Sequence, residues 1–254
     1  MAQYDALLLE QLQALWGSGF LSPGGREEVR LIVEGLDLAG KTLLDIGTGL
    51  GGPALVLAGE CGAQVMGLDV QAEIVGEARQ RITAAGLDQQ ITLQLTSPGP
   101  LPLADAEADV VFSKDSLIHV PDKPAIYAEM FRVLRPGGAL AISDWLTGPA
   151  EDPDVMAFIE ASPLDLRAAT LDDLLPVIEA AGFTKISTVD RNAWFAATMR
   201  AEQAALRGEI SERFEAIMGR DAVEAWIARR EPIRLAAEAG ALRPTHIRAR
   251  RPDG

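Results

Sequence analysis

The sequence predicts an α/β fold: a doubly wound, mostly parallel seven-stranded sheet with an N-terminal helical cap and a C-terminal helical extension. Three observations carry the prediction. Short apolar runs alternate with segments of helical spacing from residue 41 to residue 190. The connections between them are short. A glycine-rich turn, Gly47-Thr48-Gly49-Leu50-Gly51-Gly52, joins the first run to a helical segment.

The elements follow in order. Residues 4–16 carry apolar side chains at helical spacing, and the Gly- and Pro-rich stretch 17–25 breaks that helix. Residues 26–38 read as a second helix. Residues 41–47 form the first strand and 64–70 the second. Residues 71–87 are a helix that stops at Gly86. Residues 91–97 and 108–114 are strands three and four; a helix over 121–138 and a fifth strand over 139–145 follow. The strands are near-continuous apolar runs, as expected when both faces are buried. Residues 147–170, with three prolines, read as an irregular lid. A helix over 170–183 and a sixth strand over 184–190 come next. Residues 192–239 are Ala-rich and helical, and 245–251 offer a last strand, with His246 read as a surface residue.

Composition narrows the function. The 254 residues are 48% apolar, enough for a sizeable core, and no run is long enough to span a membrane. The start shows no basic and apolar leader. A single cysteine, Cys61, excludes a disulfide scaffold and a multi-cysteine metal site, so a reducing cytoplasm is the default and no metal is expected. The net charge of −14 disfavours nucleic acid as a partner. The charge is uneven: from Arg229 onward seven Arg face three acids.

The glycine turn admits two spacings. Gly47, Gly49 and Gly52 satisfy G-x-G-x-x-G, the dinucleotide pattern, while Gly47, Gly49 and Gly51 satisfy G-x-G-x-G. Asp45 precedes the glycines, where a carboxylate suits a ligand that carries an ammonium group. Asp69 ends the second strand, where it can accept both hydroxyls of a ribose.

With these residues the chain resembles the class I S-adenosylmethionine-dependent methyltransferases. LLDIGTGLGG looks like their first motif, MGLDV, ending at Asp69 and Val70, like their second, and RVLRPGGALAISDW like their strand-five motif. The resemblance implies a Rossmann-like methyltransferase fold and S-adenosylmethionine as cosubstrate, with S-adenosylhomocysteine as product. The implied organisation is a cap (1–40), a cosubstrate-binding core (41–147), a lid (148–170) and a completion of the sheet with a helical extension (171–254), all one domain. Where such enzymes carry an acid for the adenine amino group, this chain has Ser97 followed by Pro98.

GFLSPGG before the first motif, KDSLIHVPDKP after strand four and DRNAWFAATMRAEQ after strand six narrow the likeness. In this combination the chain is similar to the phosphoethanolamine N-methyltransferases and related small-amine N-methyltransferases. The likeness implies Tyr4 and His119 as a catalytic pair, Ser22 and Lys114 as cosubstrate contacts, and Gln3 and Asp115 as acceptor contacts. Lys114 stands where the family has Arg, which keeps the charge and loses the planar fork. Histidine suits the task, because an ammonium must lose a proton before it can accept a methyl group.

The family's phosphate-binding stretch is not matched. Glu160, Leu164 and Leu166 occupy its positions, Arg167 is displaced from it, and Leu12 replaces an aromatic residue. Trp145 stands for a tyrosine after strand five, and Arg229 for a C-terminal lysine. A phosphate beside Glu160 and Asp165 is repelled, so the expected acceptor is a small amine or amino-acid-like molecule. Trp145, with Trp16 or Trp194, can face a methylated ammonium. The alternatives are O-, S- or C-methylation of a larger metabolite, a nicotinamide-dependent oxidoreductase, and a non-catalytic nucleoside-binding module.

Overall fold

The structure, a computed structural model, describes residue 4 and residues 6–149, 152–162, 164–208 and 210–253. Two helices, α1 (Ala6–Trp16) and α2 (Gly25–Ile32), precede the sheet. Then β1 (Thr42–Ile46), α3 (Gly52–Gly59), β2 (Gln64–Asp69), α4 (Ala72–Ala84), β3 (Ile91–Leu95) and β4 (Ala108–Lys114) alternate. A 3-10 turn (Leu117–His119), α5 (Lys123–Val133) and β5 (Leu134–Thr147) follow. The remaining elements are α6 (Pro153–Ala161), α7 (Leu171–Ala180), β6 (Thr184–Asp190), α8 (Asn192–Arg207), α9 (Ser211–Met218), α10 (Arg220–Ala239) and β7 (Leu242–Arg250).

The seven strands form one sheet in the order β3-β2-β1-β4-β5-β7-β6. Strands β1 to β5 run parallel to one another. β7 is antiparallel to both β5 and β6, lies between them and leaves β6 at the edge. The period-2 alternation of a strand divides the core. Leu44, Val111, Leu140, Ile142 and Ile247 pack under α5 and α7 with Tyr127, Met130 and Ile178. Leu43, Val65, Val110, Phe112 and Ala141 pack on the other face, with Val29 and Ile32 of α2 and Val56 and Leu57 of α3. Each fully buried Leu or Val on these faces contributes about 1.5–3 kcal/mol.

Five details depart from the reading of the sequence. The helix read over 121–138 ends at Val133, and the fifth strand begins at Leu134, which pairs with Ala108 of β4. The second helix ends at Ile32, with Gly35 at positive φ in the following turn. The stretch read as irregular contains α6: Asp152 caps it through the Asp154 N–H, and Pro153 occupies the first turn, where it needs no N–H partner. The Ala-rich region is three helices, interrupted near Gly208 and at Gly219. His246 is buried, 4% exposed, with Nε2 2.7 Å from Glu28 Oε1. It is buried because β7 lies inside the sheet instead of at its rim.

Candidate active site

The site lies where the C-terminal ends of β1, β2, β4 and β5 meet the glycine turn, the usual ligand position in an open α/β sheet. Gly47 has φ +73, and its N–H and that of Thr48 both donate to the Leu68 carbonyl at 2.9 Å. A Cβ on Gly47 would stand 2.4 Å from Ser116, so the turn admits only glycine there. Gly49 and Gly51 also have positive φ, and Gly51 precedes α3. Ser116 is fixed in turn: its hydroxyl donates to the Ile46 carbonyl at 2.9 Å and meets Ser113 Oγ at 2.7 Å.

Two acids stand beside this turn. Asp69 accepts from the Gly49 N–H at 3.0 Å and from the Gln71 N–H at 3.1 Å. Burial raises its pKa, and those backbone bonds offset part of the rise. Asp45 is 1% exposed, and neither carboxylate oxygen has a hydrogen-bond partner among the described residues. Burial pushes its pKa up to about 7; the Thr48 hydroxyl, itself unbonded, opposes this and the Asp69 charge adds to it. A buried carboxylate without donors is costly, and a cation beside it removes the cost.

Tyr4 packs against Leu9, Leu50, Ile74 and Leu21. Burial, with the Asp69 charge adding, pushes its hydroxyl up to about 12, so it stays protonated. His119 ends the 3-10 turn, with Nδ1 3.0 Å from the Asp165 carbonyl. That contact places the proton of the neutral ring on Nδ1 and the lone pair on Nε2. Burial lowers the His119 pKa; the Asp165 carbonyl opposes it, the Lys123 charge adds to it, and the charges of Asp165 and Asp69 oppose it. Tyr4 and His119, far apart in sequence, thus both lie within the electrostatic reach of Asp69.

Lys114 is buried and donates to Ser22 Oγ, to the Pro23 carbonyl at 2.9 Å and to Asp115 Oδ2 at 2.8 Å. An ammonium has three N–H bonds, and all three are used within the chain. Lys114 and Ser22 therefore bind one another, tying the Ser-Pro-Gly-Gly loop to the end of β4. Asp115 sits at φ +56 and accepts from Ser143 Oγ at 2.6 Å. Burial pushes its carboxyl up, but the Lys114 ammonium and the hydroxyls of Ser143 and Ser22 hold it below the usual range.

Other expected residues are placed less directly. Val70 is exposed, as are Ser97 and Pro98 in the loop after β3. Leu95, which pairs in register with Asp69, is a second exposed large apolar side chain beside Val70; the sequence reading did not single it out. Trp145 packs edge-on against Phe195, with centroids 5.1 Å apart, in a cluster that includes Ile118, Phe158 and Leu166. Trp16 and Trp194 each already carry an arginine on one face, Arg230 5.3 Å over Trp16 and Arg191 4.9 Å over Trp194. Arg229 is exposed on α10; the helix turns Arg230 inward instead, where Glu202 Oε2 accepts from it. Arg167 is exposed and paired with Asp165 at 2.8 Å. Gln3 lies outside the described residues.

The chain matches the family described as a methyltransferase domain over residues 44–142. It is 28% identical to phosphoethanolamine N-methyltransferase 3 of Arabidopsis thaliana over 212 residues, 83% of this chain and 42% of that protein. It is 32% identical to 27-O-demethylrifamycin SV methyltransferase of Amycolatopsis mediterranei over 193 residues, 72% of this chain and 71% of that one. The chain belongs to the class I S-adenosylmethionine-dependent methyltransferases. Against Haemonchus contortus phosphoethanolamine N-methyltransferase 2, solved with phosphomonomethylethanolamine and S-adenosylhomocysteine, the TM-score is 0.90 at 22% identity. That match covers 99% of this chain and 59% of the other. The chain spans less than half the length of the plant enzymes it matches.

Membership sets aside the nicotinamide reading; Gly47 and Gly49 are common to both spacings of the glycine turn. The residues present fit the methyltransferase cosubstrate. The orphaned carboxylate of Asp45 suits an ammonium, Asp69 retains lone pairs for ribose hydroxyls, and Val70 and Leu95 offer an apolar edge to a base.

Proposed function

We propose that this protein transfers a methyl group from S-adenosylmethionine to the nitrogen of a small amine or amino-acid-like acceptor. The observation that carries the reading is the placement of His119 in the turn that follows β4, Nδ1 held 3.0 Å from the Asp165 carbonyl, at the same sheet edge as the glycine turn and Asp69. When bound, S-adenosylmethionine supplies an electrophilic methyl group on a sulfonium. Asp45 and the backbone of the glycine turn hold the amino-acid end of the cosubstrate, and Asp69 holds its ribose. His119, kept neutral by its burial, takes the proton from the acceptor ammonium at Nε2 and so frees the attacking lone pair. Tyr4, kept protonated, donates a hydrogen bond that orients the acceptor and, with α1, excludes water. The face of Trp145 draws the ammonium toward the site, while Asp115, bound to Lys114, holds the turn behind it.

The pairing of the basic side chains argues against a phosphorylated acceptor. Lys114 is bound to Asp115, Arg191 to Glu28, Arg230 to Glu202 and Arg167 to Asp165. A dianion finds no unneutralised cation among these four. The aromatic cluster of Trp145, Phe158 and Phe195 supports a second reading, O-methylation of a larger apolar metabolite, which the likeness to the rifamycin enzyme also favours. Among the described residues no helix is long and apolar enough to cross a membrane. The reading also takes the reducing cytoplasm as the compartment, which a chain with one cysteine fits.

The test is release of S-adenosylhomocysteine with ethanolamine, monomethylethanolamine, glycine, sarcosine, phosphoethanolamine, a phenol and a thiol as acceptors. An unphosphorylated amine is expected to give the highest rate, with His119→Ala and Tyr4→Phe lowering it about 100-fold or more. Faster release with the phenol or the thiol than with any amine overturns the N-methylation reading.

A further inference from the structure

Two ionisable residues, one buried and one half-buried, take no part in the chemistry above. Asp144 lies in β5 and is 1% exposed; Lys123 opens α5, and its side chain is 12% exposed. Their charged atoms stand 3.8 Å apart, beyond hydrogen-bond reach. Each is bonded instead to the backbone of the same turn. Asp144 Oδ1 accepts from the Ile118 N–H at 2.8 Å, and Lys123 Nζ donates to the Leu117 carbonyl. Beneath them Tyr127 is fully buried, its hydroxyl unbonded among the described residues and within the field of Asp144. The backbone is held from a third side, where the Arg167 N–H donates to the Ile118 carbonyl at 2.6 Å.

A buried ion pair contributes little net stability compared with an apolar pair of the same shape. What this pair adds is placement, because its two bonds grip both ends of one peptide group, the Leu117 carbonyl and the Ile118 N–H, in the turn that ends in His119. We propose that Asp144 and Lys123 are positioning residues for methyl transfer: they clamp the Leu117–His119 turn and so fix the place and the charge state of the His119 imidazole. The proposal rests on the base role given to His119 above. The charged groups that face the ring are Lys123 from α5, Asp165 from the segment after α6 and Asp69 from β2. Those that face Asp144 are Lys123, Asp115 and, from α5, Tyr127. A base held in this way is already oriented when the acceptor arrives, which is where rate is gained.

The test uses the full chain. Imidazole signals are followed by NMR across pH in the wild type and in Lys123→Met, Lys123→Arg and Asp144→Asn, with His246→Asn assigning the two histidines. Lys123→Met is expected to raise the His119 pKa by about half a pH unit or more, because it removes a nearby positive charge. With the fastest acceptor of the panel above, it is expected to lower kcat about tenfold. S-adenosylhomocysteine affinity by calorimetry stays within about twofold. Lys123→Arg restores the pKa and the rate. Asp144→Asn keeps an acceptor for the Ile118 N–H but removes the charge that faces Lys123, so its kcat is expected to fall less than that of Lys123→Met while KM holds. If Lys123→Met fails to fold, Lys123→Gln carries the same measurements. An unchanged His119 pKa with unchanged kcat, or no rescue by Lys123→Arg, overturns the proposal. Wild-type turnover in His119→Ala overturns the base role instead; the NMR comparison reads the clamp regardless, so the two failures separate.

Discussion

Asp45 shows how much of a site one residue can hold in suspense. Its carboxyl goes from 3.8 in the open chain to about 7 in the fold, which amounts to about 4 kcal/mol of destabilisation once the group is ionised. A cosubstrate ammonium beside it would recover much of that, and its binding would release a proton wherever Asp45 is still protonated. Affinity for S-adenosylhomocysteine is therefore expected to fall as pH drops below about 7, approaching tenfold per pH unit, as measured by calorimetry. Asp45→Asn should weaken binding about 10- to 100-fold, the cost of a lost charged hydrogen bond. The same variant should stabilise the ligand-free protein at pH 8 by about 2 kcal/mol in urea unfolding. A binding loss with no such gain would argue that Asp45 is not ionised in the free protein. The position of this acid was legible from the sequence, two residues before Gly47. Its lack of donors was not, because that depends on what β2, β4 and the turn place around it.

At the scale of elements, one buried polar node joins the cap to the C-terminal helices. Glu202 of α8 accepts from Trp16 Nε1 of α1 at 2.6 Å and from Arg230 of α10, while Arg230 lies over the rings of Trp16 and Trp226. Three helices far apart in sequence thus share one buried ion pair. Glu202→Ala is expected to cost about 3–5 kcal/mol, because it strands a buried guanidinium that cannot shed its proton. Arg230→Met should cost less, because the Glu202 carboxyl, already raised by burial, can take up a proton. Equal losses in chemical denaturation would contradict this account. The sequence displayed the helices but not their junctions. The Ala-rich spacing of 192–239 looks continuous until Gly219 takes φ +82, and Pro153 reads as a breaker until it is seen to start α6. It also pointed to Arg229, one residue away from the arginine that α10 turns inward. Helical periodicity gives a face to within a residue, and packing decides between neighbours.

For the whole molecule, the balance of buried acids fixes the pH response. Asp45 and Asp144 have folded values of about 7 and about 6, both above the open-chain 3.8. Such groups favour the fold fully below their open-chain pKa and lose that contribution as pH rises through the folded values. Glu28 and Asp115 are shifted the other way and stabilise the fold at higher pH, losing this as pH falls. The melting temperature of the ligand-free protein is therefore expected to decline from about pH 5 to about pH 8, and saturating S-adenosylhomocysteine should flatten the decline. Identical slopes with and without it would show that Asp45 does not meet the ligand. The sheet itself was the most legible part of the chain, because parallel strands buried on both faces leave unbroken apolar runs. What the runs did not reveal is that β7 enters between β5 and β6, since strand order is set by non-local pairing. That insertion has a consequence for synthesis. On the ribosome every other described strand emerges while β5 still has a bare edge, and the docking place of β6 does not yet exist. A nascent chain halted before residue 242 would offer that edge to any passing strand, so this enzyme should depend on a holding chaperone until its final strand arrives.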